Sequence, residues 1–352
     1  MTPLARRLVA EIQRAGPMDI AQFMRRCLAD PEDGYYTTRD PLGRRGDFTT
    51  APEISQMFGE LLGLWLATVW QNAGRPDRFT LAELGPGRGT AMADALRAAG
   101  RVPGFTAAMR LHLVEVSPVL RAEQAGRMPA GTTWCTHASA LPTDAPLFVL
   151  ANEFFDALPI RQHVAEGPLW RERRVGVDAA GALQFGLGPA VPNPDLSRRF
   201  GAVPAGTLVE TNPAAEGVVR ILADTIAARG GAALIIDYGA WSGTGDTLQA
   251  LRAHAPEPPL AHPGDADVTA HVGFRWLAEA ARPLRAAFSP QGAFLAALGI
   301  GARAAALARV PGAAPAVAAA LTRLTDPAEM GTLFSVLALL PADAAPPPGF
   351  AP

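Results

Sequence analysis

Three glycines in five positions, Gly85-Pro86-Gly87-Arg88-Gly89, follow the acidic Glu83 in the stretch "LAELGPGRGTAMADAL". Glycine offers no Cβ, so a ligand can come close to backbone N–H groups where such a turn opens a helix. The dinucleotide fingerprint wants glycine at its first, third and sixth positions, and the sixth position from Gly85 is Thr90. A carboxylate two residues before the first glycine suits a cationic ligand better than a pyrophosphate. S-adenosylmethionine is such a ligand: it carries a sulfonium and an amino group, and its ribose needs a second acceptor. "LHLVEVSP" supplies one, because Glu115 closes an apolar run and a carboxylate there can accept both ribose hydroxyls. A strand-end glutamate can also be a solvated charge, and glycines alone can make a tight turn. Their joint occurrence at successive strand ends favours a ligand.

"ANEFFDALP", residues 151–159, closes a further apolar run with Asn152, Glu153 and Asp156. Methyl transfer is an in-line displacement that depends on alignment and fixed dipoles more than on acid strength. Carboxylates at this point would bind an amine or guanidine acceptor and orient a nitrogen lone pair. Asp156 and Glu153 are the candidates for taking its proton. Phe154 and Phe155 either shape a channel wall or pack into the core. His254, His262 and His271 show no HxxxH spacing and no carboxylate in ligand register, so no metal is expected, although Asp265 and Asp267 are near in sequence. His271 stands either as a hydrogen-bond partner for an acceptor or as a solvated loop residue.

These residues need a sheet to hold them. From Phe79 to Gly239 short apolar runs, "FTLAEL", "LHLVEV", "TTWC", "LFVLAN" and "ALIIDYG", alternate with helical segments. That alternation predicts an α/β fold with a parallel sheet covered on both faces. Residues 1–75 form an N-terminal helical region, with Leu4, Leu8 and Ile12, then Ile20, Phe23, Met24 and Leu28, at amphipathic spacing. Residues 76–240 form the core, and about 165–206 reads as an inserted hairpin region on the sheet edge. Residues 241–340 complete the core, with an Ala-rich helical stretch broken at Gly301 and Pro311. The tail 341–352 is expected to be disordered.

Composition bounds the function. A chain of 352 residues with 49% apolar content can bury an enzyme-sized core. All of its 31 basic residues are arginine, which excludes a lysine Schiff base and a P-loop lysine. The net charge of −2 argues against a nucleic-acid partner. Cys27 and Cys135 form no CxxC and read as inert thiols. No stretch has the length and apolarity of a membrane span. The acids Glu11 and Asp19 count against an N-terminal targeting presequence, so a cytoplasmic location is expected.

In separated blocks over most of its length the chain resembles the MidA-like family of class I S-adenosylmethionine-dependent methyltransferases. That family includes the mitochondrial complex I assembly-factor arginine methyltransferase. The blocks include 33–65, where "GDFTTAPEIS" is distinctive, "ELGPGRGT", "VEVSP", "NEFFDALPI", "ETNP", "IDYG", "GDTLQA", "PGDADVTAHVGF" and "EMGTLFSVLAL". The resemblance implies a Rossmann-like methyltransferase sheet, with the N-terminal segment and the inserted and C-terminal regions forming a lid. It implies that Glu83, Gly85, Gly87, Gly89, Glu115 and Ser117 hold S-adenosyl-L-methionine. It further implies that the loop Gly46-Asp47-Phe48-Thr49-Thr50 closes over the site, and that Asn152, Glu153 and Asp156 line the acceptor side. By its residues alone that loop could equally be a capping turn, with Thr50 ahead of Pro52 and Glu53. The implied activity is methylation of arginine on a protein such as a complex I subunit. A small-molecule methyltransferase and a non-catalytic assembly factor that binds S-adenosylmethionine are the alternatives. Two positions depart from the family pattern: Gly273 stands for an aspartate and Ser335 for a lysine.

Overall fold

The computed structural model describes residues 1–38 and 50–351. They divide into two units, one comprising 50–155, 216–241 and 274–351, the other 1–38, 156–215 and 242–273.

The first unit is built on a sheet of β1 (Phe79–Leu84), β2 (Met109–Val114), β3 (Thr133–Cys135), β4 (Leu147–Asn152), β5 (Gly231–Ala240), β6 (Arg285–Pro290) and β7 (Phe334–Leu340). Their order is β3-β2-β1-β4-β5-β7-β6. The first five strands in the chain run parallel. β7 enters antiparallel between β5 and β6. This is a doubly wound α/β fold, with the parallel strands expected from the alternation of strands and helices and the Rossmann-like sheet implied by the family resemblance. Winding reverses between β1 and β4, and ligands in such sheets bind where it reverses, beyond the carboxyl ends of the strands.

Every residue of β1 is buried, as are the first five of β4. Strands covered on both faces read as unbroken apolar runs, which is why "FTLAEL" and "LFVLAN" were legible. Phe79 packs against Phe105 and Phe148, at ring separations of 5.1 and 5.2 Å. The helix Gln56–Asn72 lies against the helix Thr90–Ala99. A Cβ at Gly63 would come within 2.1 Å of the Ala95 carbonyl oxygen, so only glycine permits this approach. The contact fixes the second helix, whose N-terminus opens from Gly89.

β6 and β7 were not anticipated. β7 is buried at all seven positions and therefore lacks the period-two alternation that marks a half-exposed strand. Ser335, within β7, donates from its hydroxyl to the Gly239 carbonyl at 3.0 Å. A serine satisfies itself on the neighbouring strand here, whereas a buried ammonium would need a counter-charge. The Ala-rich stretch forms helices Gln291–Ala297, Ile300–Leu307 and Ala314–Thr325. Pro311 falls between the last two, but Gly301 lies inside a helix; the first break is at Gly299, whose φ is +88°. The tail also differs from expectation. Trp65 Nε1 donates to the Pro348 carbonyl at 3.1 Å, Arg285 donates to Ala344 and Ala345, and Phe350 lies 5.2 Å from Phe294. A proline-rich backbone leaves its carbonyls without internal partners, and these side-chain donors take them.

In the other unit the helices Pro3–Ala15 and Ile20–Ala29 bury the apolar positions read from sequence. Asp19 and Gln22 close a capping box ahead of the second helix. Strands Met18–Asp19, Leu169–Val177, Arg161–Glu166 and Leu208–Thr211 lie in that order, with Leu183–Val191 also on Leu169–Val177. All pairings among them are antiparallel. The segment read as an edge hairpin of the parallel sheet thus belongs to a separate sheet, completed by Met18–Asp19 from far upstream. Strands Ala255–Glu257, Gln249–Arg252 and Asp267–Thr269 make a third, small sheet. No helix among the described residues is long and apolar enough to cross a membrane.

Candidate functional site

The carboxyl ends of β1, β2 and β4 carry the residues singled out above. Glu83 is the penultimate residue of β1, registered between Leu113 of β2 and Leu150 of β4. It is 2% exposed, and its Oε2 has no hydrogen-bond partner among the described residues. Burial, and secondarily the charge of Glu115, pushes its pKa up to about 8. A buried carboxylate left this way is costly unless a cation or a donor completes it.

The chain then turns through Gly85, Gly87 and Gly89, with φ of +61°, +53° and +77°. All three are in the left-handed region where L side chains are strained. A Cβ on Gly85 would also stand 2.9 Å from Phe154 Cδ2. The Gly85 amide donates to the Val114 carbonyl at 3.0 Å, tying the turn to the end of β2.

Glu115 follows β2 and donates its amide to the Cys135 carbonyl at 2.9 Å. Its side chain is buried and oriented: Oε1 accepts from the Ser117 amide at 2.8 Å and Oε2 from Gln124 Nε2 at 3.3 Å. Burial raises its pKa against the opposing pull of these hydrogen bonds. The Ser117 hydroxyl accepts from the Leu120 amide and so caps the helix Pro118–Ala125. Ser117 therefore acts on the carboxylate through its backbone, while its side chain starts a helix.

At the end of β4, Asn152 Nδ2 donates to Glu153 Oε1 at 3.0 Å, and the Ala51 amide donates to the same oxygen at 3.2 Å. Glu153 itself has a φ of +51°. A non-glycine residue in this region carries a backbone cost that surrounding structure must impose, and such residues gather at functional positions. The imposing contacts are visible: the Glu153 amide donates to Ile236 on β5, and the Phe155 amide donates to Asp237 Oδ2, each at 2.9 Å. Phe155 is fully buried and takes the core role, while Phe154 meets it edge-on at 5.3 Å.

Thr50 is the N-cap of the short helix Ala51–Ile54, with Pro52 and Glu53 in its first turn as the capping-turn reading had it, although the Thr50 side chain makes no capping bond. Glu53 accepts from Thr90 Oγ1 at 2.6 Å, linking this segment to the helix after the glycines. Gly46, Asp47, Phe48 and Thr49 lie outside the described residues.

Asp156 falls in the other unit. It is buried, and its carbonyl accepts from the Ala270 amide at 3.0 Å. In the same unit the Tyr36 hydroxyl donates to both carboxylate oxygens of Asp267, at 3.1 and 3.0 Å. Burial first, then the charges of Asp267 and Asp156, raise the Tyr36 pKa. The His271 amide donates to Thr247 Oγ1 at 2.9 Å. Among the described residues no group of three or more His, Cys, Asp or Glu is placed to hold a metal ion.

The structure thus brings together Glu83, the glycine turn, Glu115, Ser117, Asn152 and Glu153 in one unit. Sequence reasoning missed three features: Gln124, which bonds Gly87 and Glu115 directly, Asp237, which holds the Phe155 amide two residues after Glu153, and the Glu53–Thr90 bond, which joins the flanking segments. No local pattern marks Gln124, one polar residue in an ordinary helix, while Asp237 and Glu53 lie in quoted blocks that do not reveal which groups they reach. A buried carboxylate lacking a partner, a turn that a Cβ would obstruct, and a second oriented carboxylate fit a ligand with a cationic centre and a diol.

Residues 61–289 match the family described as "Putative S-adenosyl-L-methionine-dependent methyltransferase". The chain is 37% identical to the mitochondrial protein arginine methyltransferase NDUFAF7 of Mus musculus, over 97% of this chain and 85% of that protein. It is 35% identical to the Homo sapiens protein of the same name, over 97% and 84%. Among solved structures it is similar to a Burkholderia thailandensis protein bound to S-adenosyl-homocysteine, with a TM-score of 0.85 and 30% identity over 99% of this chain and 94% of that one. The Mus musculus and Homo sapiens relatives are named mitochondrial, which overturns the expected cytoplasmic location. The acids that had weighed against a presequence have structural work instead: Glu11 pairs with Arg26, and Asp19 caps a helix.

Proposed function

The chain belongs to the S-adenosyl-L-methionine-dependent methyltransferase family, and on that premise we propose that it methylates arginine on a protein. The observation that carries the acceptor side is Glu153, a carboxylate fixed at the end of β4 by Asn152 and the Ala51 amide. The names of the relatives support arginine as the acceptor.

When bound, S-adenosyl-L-methionine supplies an electrophilic methyl group on a positively charged sulfur. In the proposed assignment Glu83 meets the cofactor's positive charge, Glu115 takes the ribose hydroxyls, and the glycine turn lets the backbone approach. Gly46, Asp47, Phe48 and Thr50 remain assigned to the cofactor side on the strength of the family resemblance. Arginine stays protonated at neutral pH, so its nitrogen must lose a proton as it becomes a nucleophile. The Glu153 carboxylate attracts the guanidinium, orients one nitrogen and receives that proton. Asn152 keeps the carboxylate turned to its task by donating to Oε1. Asp156, the second carboxylate of the motif, is assigned to turnover and not to cofactor affinity.

A respiratory complex I subunit is the first protein substrate to test, on the resemblance carried by the sequence blocks. Purified chain incubated with methyl-labelled S-adenosyl-L-methionine and cell extract should label a protein band whose mass spectrum places the methyl on arginine. Label confined to small molecules would contradict the proposal.

A further inference from the structure

Gln124 is fully buried on the helix Pro118–Ala125 and has no place in the assignment above. Its side-chain amide touches three other segments. Nε2 donates to the Gly87 carbonyl at 2.7 Å and to Glu115 Oε2 at 3.3 Å, and Oε1 accepts from Trp134 Nε1 at 2.8 Å. An indole N–H can only donate, so Trp134 on β3 dictates which end of the Gln124 amide is oxygen. The NH2 group must therefore face the glycine turn and the carboxylate. Both of its protons are used, and both acceptors belong to the group of residues assigned to the cofactor.

From this geometry we propose that Gln124 is a positioning residue that locks Glu115 and the glycine turn into one binding-competent arrangement, with Trp134 setting its orientation. The inference rests on the cofactor assignment of Glu115 and is independent of the acceptor. Ser117 holds one carboxylate oxygen from the backbone, and Gln124 holds the other. With both oxygens held, the orientation of the carboxylate plane is fixed, and with it the direction of the remaining lone pairs that paired hydroxyls would meet. The same amide anchors Gly87, whose left-handed backbone, with a φ of +53°, gains a fixed carbonyl. No other side chain spans these two points among the described residues.

Gln124→Glu keeps size and shape but puts carboxylate oxygen where the NH2 group faced the Gly87 carbonyl and Glu115. Gln124→Met keeps volume and removes the hydrogen bonds. The test is calorimetric binding of S-adenosylhomocysteine and of its 2′-deoxyribose analogue to the full chain, with thermal melts of the same samples. The unaltered chain should prefer the parent ligand by about tenfold. Both variants should bind it about tenfold more weakly and lose most of the preference, approaching the ratio shown by Glu115→Gln. A role in packing alone would weaken both ligands equally and leave their ratio intact, and that result would overturn the proposal. Folding failure of Gln124→Glu would leave the ratio for Gln124→Met to decide. If the unaltered chain bound neither ligand, the cofactor assignment would fall along with this inference. Normal binding with an unchanged ratio in the variants would remove Gln124 alone.

Discussion

The Ala51 amide donates to Glu153 Oε1 at 3.2 Å, joining the segment after "GDFTT" to the end of β4. This bond ties together two sequence blocks whose roles rested on resemblance more than on spacing. It places the Glu153 carboxylate at the N-terminus of the short helix Ala51–Ile54, where backbone N–H groups have no partner within the helix. Glu153→Gln keeps the size of the side chain and removes its charge. It should lower turnover by about 10²- to 10⁴-fold, the span typical of a lost proton acceptor. S-adenosylhomocysteine binding should change little. Steady-state rates beside calorimetry would show the split, and a large loss of ligand affinity would place Glu153 on the cofactor side.

Glu83 and Glu115 impose a pH dependence. The folded chain holds a proton on Glu83 up to about pH 8, whereas the unfolded chain releases it near 4.5. Folding therefore takes up a proton between these values, and this contribution to stability falls as pH rises, by up to about 1.4 kcal/mol per unit. The ligand-free chain should lose stability between pH 5 and about 8 relative to Glu83→Gln. S-adenosyl-L-methionine, being cationic, should bind more tightly as pH rises through the same window, with proton release. Denaturant melts and calorimetry in buffers of different ionisation enthalpy measure both effects.

The two carboxylates of the proposed division of labour can be separated. Glu115→Ala should weaken S-adenosylhomocysteine binding by about 10- to 100-fold, from loss of charged hydrogen bonds. Asp156→Ala should chiefly lower turnover. Equal loss of affinity in both would contradict the division.

Gly85→Ala should cost about 1–2 kcal/mol from its left-handed backbone alone. The approach of a Cβ to Phe154 at 2.9 Å adds to this and disturbs the turn itself. Chemical denaturation with and without S-adenosylhomocysteine would register both the stability loss and weaker stabilisation by ligand.

Removing the residues after Ala344 should cost about 1–3 kcal/mol, because it leaves Trp65 Nε1 without the Pro348 carbonyl. It also uncovers Phe294 where Phe350 lies against it. Unchanged thermal unfolding would show the tail to be dispensable.

Much of the first unit was legible because burial and motif coincide there. β1 and β4 are apolar runs ending in the charged residues that face the switch point, so strand, turn and candidate ligand appear together. What escaped the sequence depends on partners far apart in the chain. β7 has no periodicity to detect, the tail is ordered by Trp65 and Arg285, and the antiparallel sheet borrows Met18–Asp19 for a region read as a hairpin. The roles of Gln124 and Asp237 escape for a related reason: their importance lies in what their hydrogen bonds reach. The early acids misled because Glu11 and Asp19 report on helix pairing and capping, which says nothing about where a protein resides.

The most direct measurement is methyl transfer itself, followed by mass spectrometry of the acceptor. Purified chain with methyl-labelled S-adenosyl-L-methionine and mitochondrial or bacterial extract should place label on arginine side chains of a protein, and Glu153→Gln should slow that labelling by about 10²- to 10⁴-fold while still binding S-adenosylhomocysteine. Tight cofactor binding with no label on any protein arginine would contradict the account.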